Sequence, residues 1–148
     1  MGAHPYWYVV PYRPDLQGVL DDLRAREFAA GRYHPVISFM KFSEPAFSKQ
    51  NPGAQHASID EAMEAADADG TRSILDIGAI GDHPDYGVAA PLSDERLIEL
   101  FGTTRPARAD VEKNHAFFEG IDRGHCVYVV LYENGKPSEV FFAGYSYD

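Results

Sequence analysis

The run VYVVLYENGKPSEVFF, residues 127–142, limits this chain more than any other stretch. Asn134-Gly135 stands between two runs of β-branched and aromatic residues. A two-residue hairpin turn needs positive φ at both central positions, which Asn and Gly accept at least cost. The spacing therefore predicts a C-terminal β-hairpin in which Glu133 pairs with Lys136, Tyr132 with Pro137, Val130 with Glu139 and Tyr128 with Phe141. Pro137 then falls on a non-hydrogen-bonded pair, where its missing N–H does no harm.

Alternation along the hairpin sorts its side chains. Val127, Val129, Leu131, Val140 and Phe142 share one face, and Tyr128, Val130, Tyr132, Glu139, Phe141 and Tyr145 share the other. The stretch YWYVVPY, residues 6–12, reads as a further strand divided the same way, with Trp7 and Val9 opposite Tyr6, Tyr8, Val10 and Tyr12. The expected fold class is α+β: a mostly antiparallel sheet of about four to five strands, with helices packed mainly on the aliphatic face. The second face, carrying Tyr6, Tyr8, Tyr12, Tyr128, Tyr132 and Tyr145, is then either covered by a loop such as 43–57 or a contact surface. Tyrosine suits a contact surface because its ring is apolar and its hydroxyl polar.

Between these ends the helix signals are clear. Pro14 and Gly31 bracket a helix bearing Leu16, Val19, Leu20, Leu23 and Ala30 on one face. Ser58 and Glu61 form a capping box for a short helix to about Ala68, and Ser93 and Gly102 bound another. Residues 106–120 read as one more helix, with Val111, His115 and Phe118 on one face. PVISFMKF (35–42) and TRSILDI (71–77) read as strands, and the segments 43–57 and 78–91, rich in Gly, Pro and small polar residues, as loops. At 148 residues the chain has the length of a single domain, here 1–148.

Charge is unevenly spread. The chain carries a net −10, of which eleven acids against two bases, a net of −9, lie between Ser58 and Leu100. Such a surface repels nucleic-acid phosphate; it is either a solvated face that aids solubility or one that meets a basic protein partner, with Asp60, Glu64 and Asp67 steering its approach. No apolar run approaches the roughly 20 residues that span a bilayer, so no membrane association is expected. MGAHPYWY lacks the basic and apolar regions of a secretory signal, and the one cysteine, Cys126, cannot form an internal disulfide. A cytoplasmic protein is expected.

Chemical motifs are sparse. Glu27 stands in the middle of the apolar stripe of the first helix, where a carboxylate needs an arginine such as Arg72 as partner or acts as a general acid or base with a raised pKa. His115 stands on the apolar face of its own predicted helix. Asp82, His83 and Asp85 are metal-ligand types, but their spacing fits no zinc signature. DADGTRS fails as a calcium loop because Arg72 stands where glycine is required. No phosphate-binding or nucleophile motif is present, and neither metal nor cofactor is expected.

The stretches LRAREFAAGRYHPV, PGAQHASIDEAMEAADADGTRSILDI and VFFAGYSYD resemble those of a family of small uncharacterised bacterial proteins. The resemblance implies a bacterial, soluble single domain and carries over no activity and no site residue. The sequence thus favours a non-enzymatic, acidic protein-binding module of inhibitor, immunity or adaptor type. The alternative is a small metabolite-binding enzyme, a hydrolase or isomerase, using Glu27 as acid/base with Arg72 and His115. A homo-oligomer that buries the tyrosine face is a third arrangement compatible with the pattern.

Overall fold

A computed structural model describes residues 3–37 and 51–147. Its strands are β1 (Pro5–Pro11), β2 (Ala79–Ile80), β3 (Val88–Pro91), β4 (Cys126–Glu133) and β5 (Lys136–Tyr145). Its helices are α1 (Leu16–Ala30), α2 (Ile59–Ala66), α3 (Asp94–Phe101) and α4 (Arg108–Lys113). The fold is α+β, with one five-stranded mixed sheet in the order β1-β5-β4-β3-β2. The long ladders, β1 with β5 and β5 with β4, are antiparallel; the short ones, β4 with β3 and β3 with β2, are parallel. No described helix is long and apolar enough to cross a membrane.

The hairpin is present, and its tip pairs as the sequence predicts, Tyr132 with Pro137 and Glu133 with Lys136. Beyond the tip the register moves by one residue. Leu131 pairs with Glu139, Val130 with Val140, Val129 with Phe141 and Tyr128 with Phe142. Ser138 is the extra residue of a β-bulge, and its hydroxyl donates to the Leu131 carbonyl at 3.2 Å. A one-residue slip exchanges the two faces of everything that follows. Val140 and Phe142 therefore join the tyrosine face, and Phe141 joins the aliphatic one, opposite to the expected sorting.

Helices cover both faces of the sheet, not mainly one. On the first face Val19, Leu20 and Leu23 of α1 pack on Tyr6, Tyr8, Val10 and Phe142. On the second, Leu97 of α3, Val111 of α4 and the 3₁₀ segment Ala116–Gly120 pack on Trp7, Val9, Val129 and Phe141. The connectivity explains this: the chain leaves β1 into α1 on one side and runs from β3 to β4 through α3 and α4 on the other. α2 stands on the α1 side, where Ala62 meets Leu75 and Tyr33.

Local chemistry sets the ends of the helices. Asp15 accepts from the Gly18 N–H at 3.0 Å, Ser58 from Glu61 and Ser93 from Arg96, and Gly31 and Gly102 close α1 and α3 in the left-handed region. Two expected elements do not form as read. The segment 71–77 is a turn with a 3₁₀ stretch at Ile74–Asp76, because Ser73 and Asp76 bond nearby backbone instead of leaving it to a ladder. The helix over 106–120 breaks at Asn114, whose side chain accepts from the Ala116 N–H and donates to the Leu100 carbonyl. Of the strand expected at 35–42, Pro35 to Ile37 form a turn, and the rest lies outside the described residues, as does most of the loop expected at 43–57.

Gly144 lies between Tyr6 on β1 and Cys126 on β4, in the row that crosses the antiparallel ladders. A Cβ there would come within 2.6 Å of the Tyr6 hydroxyl, so the glycine makes room for the ring to lie across β5. The Tyr6 hydroxyl is buried with no hydrogen-bond partner among the described residues, whereas the Tyr8 hydroxyl accepts from the Ile74 N–H at 3.4 Å. Tyr6→Phe is therefore expected to hold or raise stability, and Tyr8→Phe to lower it by about 1 kcal/mol by orphaning that N–H. Urea unfolding of the two variants checks this, and a larger loss in Tyr6→Phe would contradict the assignment.

Candidate functional site

The residues singled out from sequence do not converge. Glu27 is buried on α1, as its position in the apolar stripe requires, but its partners are Arg32 and Arg26 where the sequence pointed to Arg72. Arg32 grips both oxygens, at 2.9 and 2.7 Å, and Arg26 adds a contact at 2.9 Å. This fork-on-fork pairing is the geometry that best offsets the cost of burying a carboxylate. It leaves Glu27 in the part of a structural anion that ties the end of α1 to the chain beyond Gly31. Arg72 stands in the turn before Ile74 at a positive φ of 55°, on the α1 side. His115 is exposed in the break after α4, on the opposite side of the sheet.

The tyrosines divide as well. Tyr6 and Tyr8 are buried under α1 and belong to the core, which corrects the expectation that they form a contact surface. Tyr12 and Tyr128 are partly buried at the margin of the same core. Tyr145 turns to the second face, edge-on to Phe118, and Tyr132 lies beneath the Arg105 guanidinium at 5.5 Å. Asp60, Glu64 and Asp67 are exposed, as are Asp82, His83 and Asp85. Cys126 is buried, and burial pushes its thiol well above the ordinary range, which suppresses its reactivity.

Residues the sequence reading did not connect meet in two places. The first is a buried polar knot at the foot of α1. Asp76 accepts from the Thr71 N–H at 2.8 Å and from the Thr71 hydroxyl at 2.7 Å through one oxygen. Its other oxygen is buried with no hydrogen-bond partner among the described residues. Gly70, at φ 72°, lets this oxygen and the Tyr147 ring close in, since a Cβ there would stand 2.8 Å from the first and 2.6 Å from the second. Burial raises the Asp76 carboxyl above its ordinary value, against the lowering effect of the Thr71 donors.

The second is a cleft of about 290 Å³ between the sheet and the 108–118 segment. Trp7 and Phe141 rise from the sheet, while Phe117 and Phe118 close over them. The Trp7 ring centre is 5.8 Å from Phe118 and 6.0 Å from His115, and Phe117 meets Phe141 edge-on at 5.2 Å. Ala143 pairs with both Trp7 and Val127, and the small residue between the two larger ones fits the indole into the ladder. At the mouth stand Arg108, Glu112 and His115. The Asn114 break is what brings His115 to this rim and folds Phe117 and Phe118 back onto the sheet. Apolar walls with a few polar groups at the rim are the usual make-up of a ligand site.

No family model, curated protein or solved structure matches this chain. Among the described residues, no group of three or more His, Cys, Asp or Glu is arranged to hold a metal ion.

Two predictions follow the buried acids. Glu27→Gln breaks the pairing with Arg32 and is expected to cost about 3 kcal/mol, or roughly 6–12 °C of Tm at this chain length; calorimetry measures it. Asp76 binds more protons folded than unfolded between its ordinary value of 3.8 and its raised one. Wild-type stability is therefore lost as pH rises through that window, with a slope of at most about 1.4 kcal/mol per pH unit from this group. Asp76→Asn is expected to remove that slope. Urea titrations at a series of pH values decide it, and an unchanged slope would assign the dependence to another group.

Proposed function

We propose that this chain is a non-enzymatic protein-binding module of inhibitor, immunity or adaptor type that takes a basic partner on the second face of its sheet. The observation that carries this reading is the aromatic cleft, an apolar-walled hollow built from Trp7, Phe117, Phe118 and Phe141 and open at a charged rim. Buried aromatic anchors within a polar rim are where binding energy concentrates at protein interfaces. At about 290 Å³ the cleft is at the low end of small-molecule sites. It suits one anchoring side chain better than a cofactor.

The acidic surface supports the same reading in altered form. The acids of 58–100 divide between two layers, with α2 on the α1 side of the sheet and α3 on the side of the cleft. Asp94, Glu95 and Glu99 of α3 are exposed, and Arg96 of the same helix donates to the Ala116 carbonyl beside the cleft. Asp60, Glu64 and Asp67 lie a sheet and a helix layer away, on the order of 20 Å, beyond the screening length of about 8–10 Å in physiological salt. Steering thus falls to α3 more than to α2. The enzyme reading draws no support from Glu27, whose two oxygens are both occupied by guanidinium groups.

Trp7 is the only tryptophan of the chain, so its emission reports on the cleft directly. A true partner is expected to shift that emission on binding and to lose at least tenfold in affinity, about 1.4 kcal/mol, in Trp7→Ala measured by calorimetry. Charge reversal at Asp94, Glu95 and Glu99 is expected to slow association in low salt, while reversal at Asp60, Glu64 and Asp67 leaves the on-rate unchanged. A partner whose binding ignores Trp7 and responds to the α2 reversal would put the interface on the other face and end this proposal.

A further inference from the structure

Around the mouth of the cleft negative charge exceeds positive. Glu112 and Arg108 line it, and Glu139 of β5, next to the bulge, borders a neighbouring hollow and reaches Arg108 from there. Between them lies the Arg108 side chain, with its Nε 3.5 Å from Glu112 Oε1 and 3.7 Å from Glu139 Oε1. Both distances are longer than a hydrogen bond, and the Arg108 side chain is 55% exposed. One loosely held guanidinium is thus shared by two carboxylates, and neither is tied into a tight pair.

Resting on the reading of the cleft as an interface, we propose that its anchor is an arginine side chain presented by the basic partner. Four features converge on it. The wall includes Trp7, the one of its four aromatic rings that is only partly buried, and a guanidinium is drawn most strongly to the face of an indole. The rim offers Glu112, a carboxylate that a guanidinium engages through two parallel N–H bonds. The apolar depth of the cleft matches the methylene stem of the same side chain, which buries readily below its charged head. Asp94, Glu95 and Glu99 of α3 are exposed on the side of the cleft, so the approach of a cation is favoured there. A leucine or phenylalanine anchor would use the walls and leave the excess carboxylate charge unanswered. An acidic anchor would be repelled by it.

The native Arg108 then has a definite part. Its guanidinium already occupies the space between Glu112 and Glu139, so it competes with an incoming arginine. Removing it frees both carboxylates. If the anchor were an anion, Arg108 would instead be its main attraction. The same substitution therefore moves affinity in opposite directions for the two cases.

The experiment uses the full chain and three capped tripeptides, Gly-Arg-Gly, its citrulline isostere, which replaces the guanidinium by a neutral urea, and Gly-Leu-Gly. A Gly-Glu-Gly peptide serves as the anionic probe. Trp7 emission and heteronuclear NMR shifts of the cleft residues follow each titration. The arginine peptide is expected to saturate with a Kd on the order of 1 mM, as befits one side chain, and the citrulline peptide to bind at least tenfold more weakly. Arg108→Ala is expected to tighten the arginine peptide at least threefold and Glu112→Gln to weaken it at least fivefold, with the fold of each variant checked by circular dichroism. Equal binding of arginine and citrulline, preference for leucine, or loss of binding in Arg108→Ala would overturn the arginine anchor while leaving the cleft as a binding site. A cleft silent to every probe would overturn both the anchor and the interface reading beneath it.

Discussion

One extra residue in β5 decides which side chains face which layer. Ser138 is accommodated as a bulge in which its hydroxyl donates to the Leu131 carbonyl. Past that point every β5 side chain is exchanged between faces. Val140 and Phe142 reach α1, and Phe141 and Ala143 reach the second layer. The cleft depends on this exchange. Phe141 forms part of its floor, and Ala143 is the small neighbour in the row shared by Trp7 and Val127. The bulge also leaves Glu139 beside Arg108, so one local irregularity bears on both the apolar wall and the charged cluster next to it.

The sheet separates two kinds of interior. Under α1 the core is tyrosine-rich, and its polar atoms are fed by the 70–77 turn, where Tyr8 receives the Ile74 N–H and Asp76 receives both Thr71 donors. Burying a tyrosine ring contributes on the order of 1.5–3 kcal/mol, and an unsatisfied hydroxyl takes back a large share of it. The Ile74 donor preserves most of that gain for Tyr8, while the buried Tyr6 hydroxyl has no such partner among the described residues. On the second face the interior is phenylalanine-rich and lacks such a need, so its rings meet through edges and offsets, as Phe117 does with Phe118 at 4.6 Å and with Phe141 at 5.2 Å.

Much of this was legible in the residue pattern where local chemistry decides the outcome. Asn134-Gly135 placed the hairpin, and Pro14, Ser58, Ser93, Gly31 and Gly102 bounded helices close to where they end. The failures occur where a polar side chain competes with the ladder or helix for backbone groups. Ser138 shifted the register, Ser73 and Asp76 turned an apparent strand into a 3₁₀ stretch, and Asn114 broke an apparent helix. Periodicity carries no trace of these bonds. The choice between a covered and an open tyrosine face was not legible for a related reason: alternation shows that Tyr6 and Tyr8 share a side, not which element covers it. Glu27 was legible as an anomaly in an apolar stripe, but its partner Arg32, five residues on and past the Gly31 cap, lies outside helical periodicity.

The distribution of charge shows why a chain-wide count misleads about a site. Most of the −10 comes from the middle third, and half of that acidity sits on the side of the sheet away from the cleft, where salt screens it. What a ligand at the cleft feels is set within a few ångströms, by Arg108 held loosely between Glu112 and Glu139 and by the ring faces behind them. The long-range field speeds the arrival of a cation. In the proposed complex, the carboxylates on either side of Arg108 are what would hold that cation. In that complex these two roles fall to different residues, so substitutions in α3 are expected to change the rate of approach, and substitutions at Glu112 the lifetime of the complex.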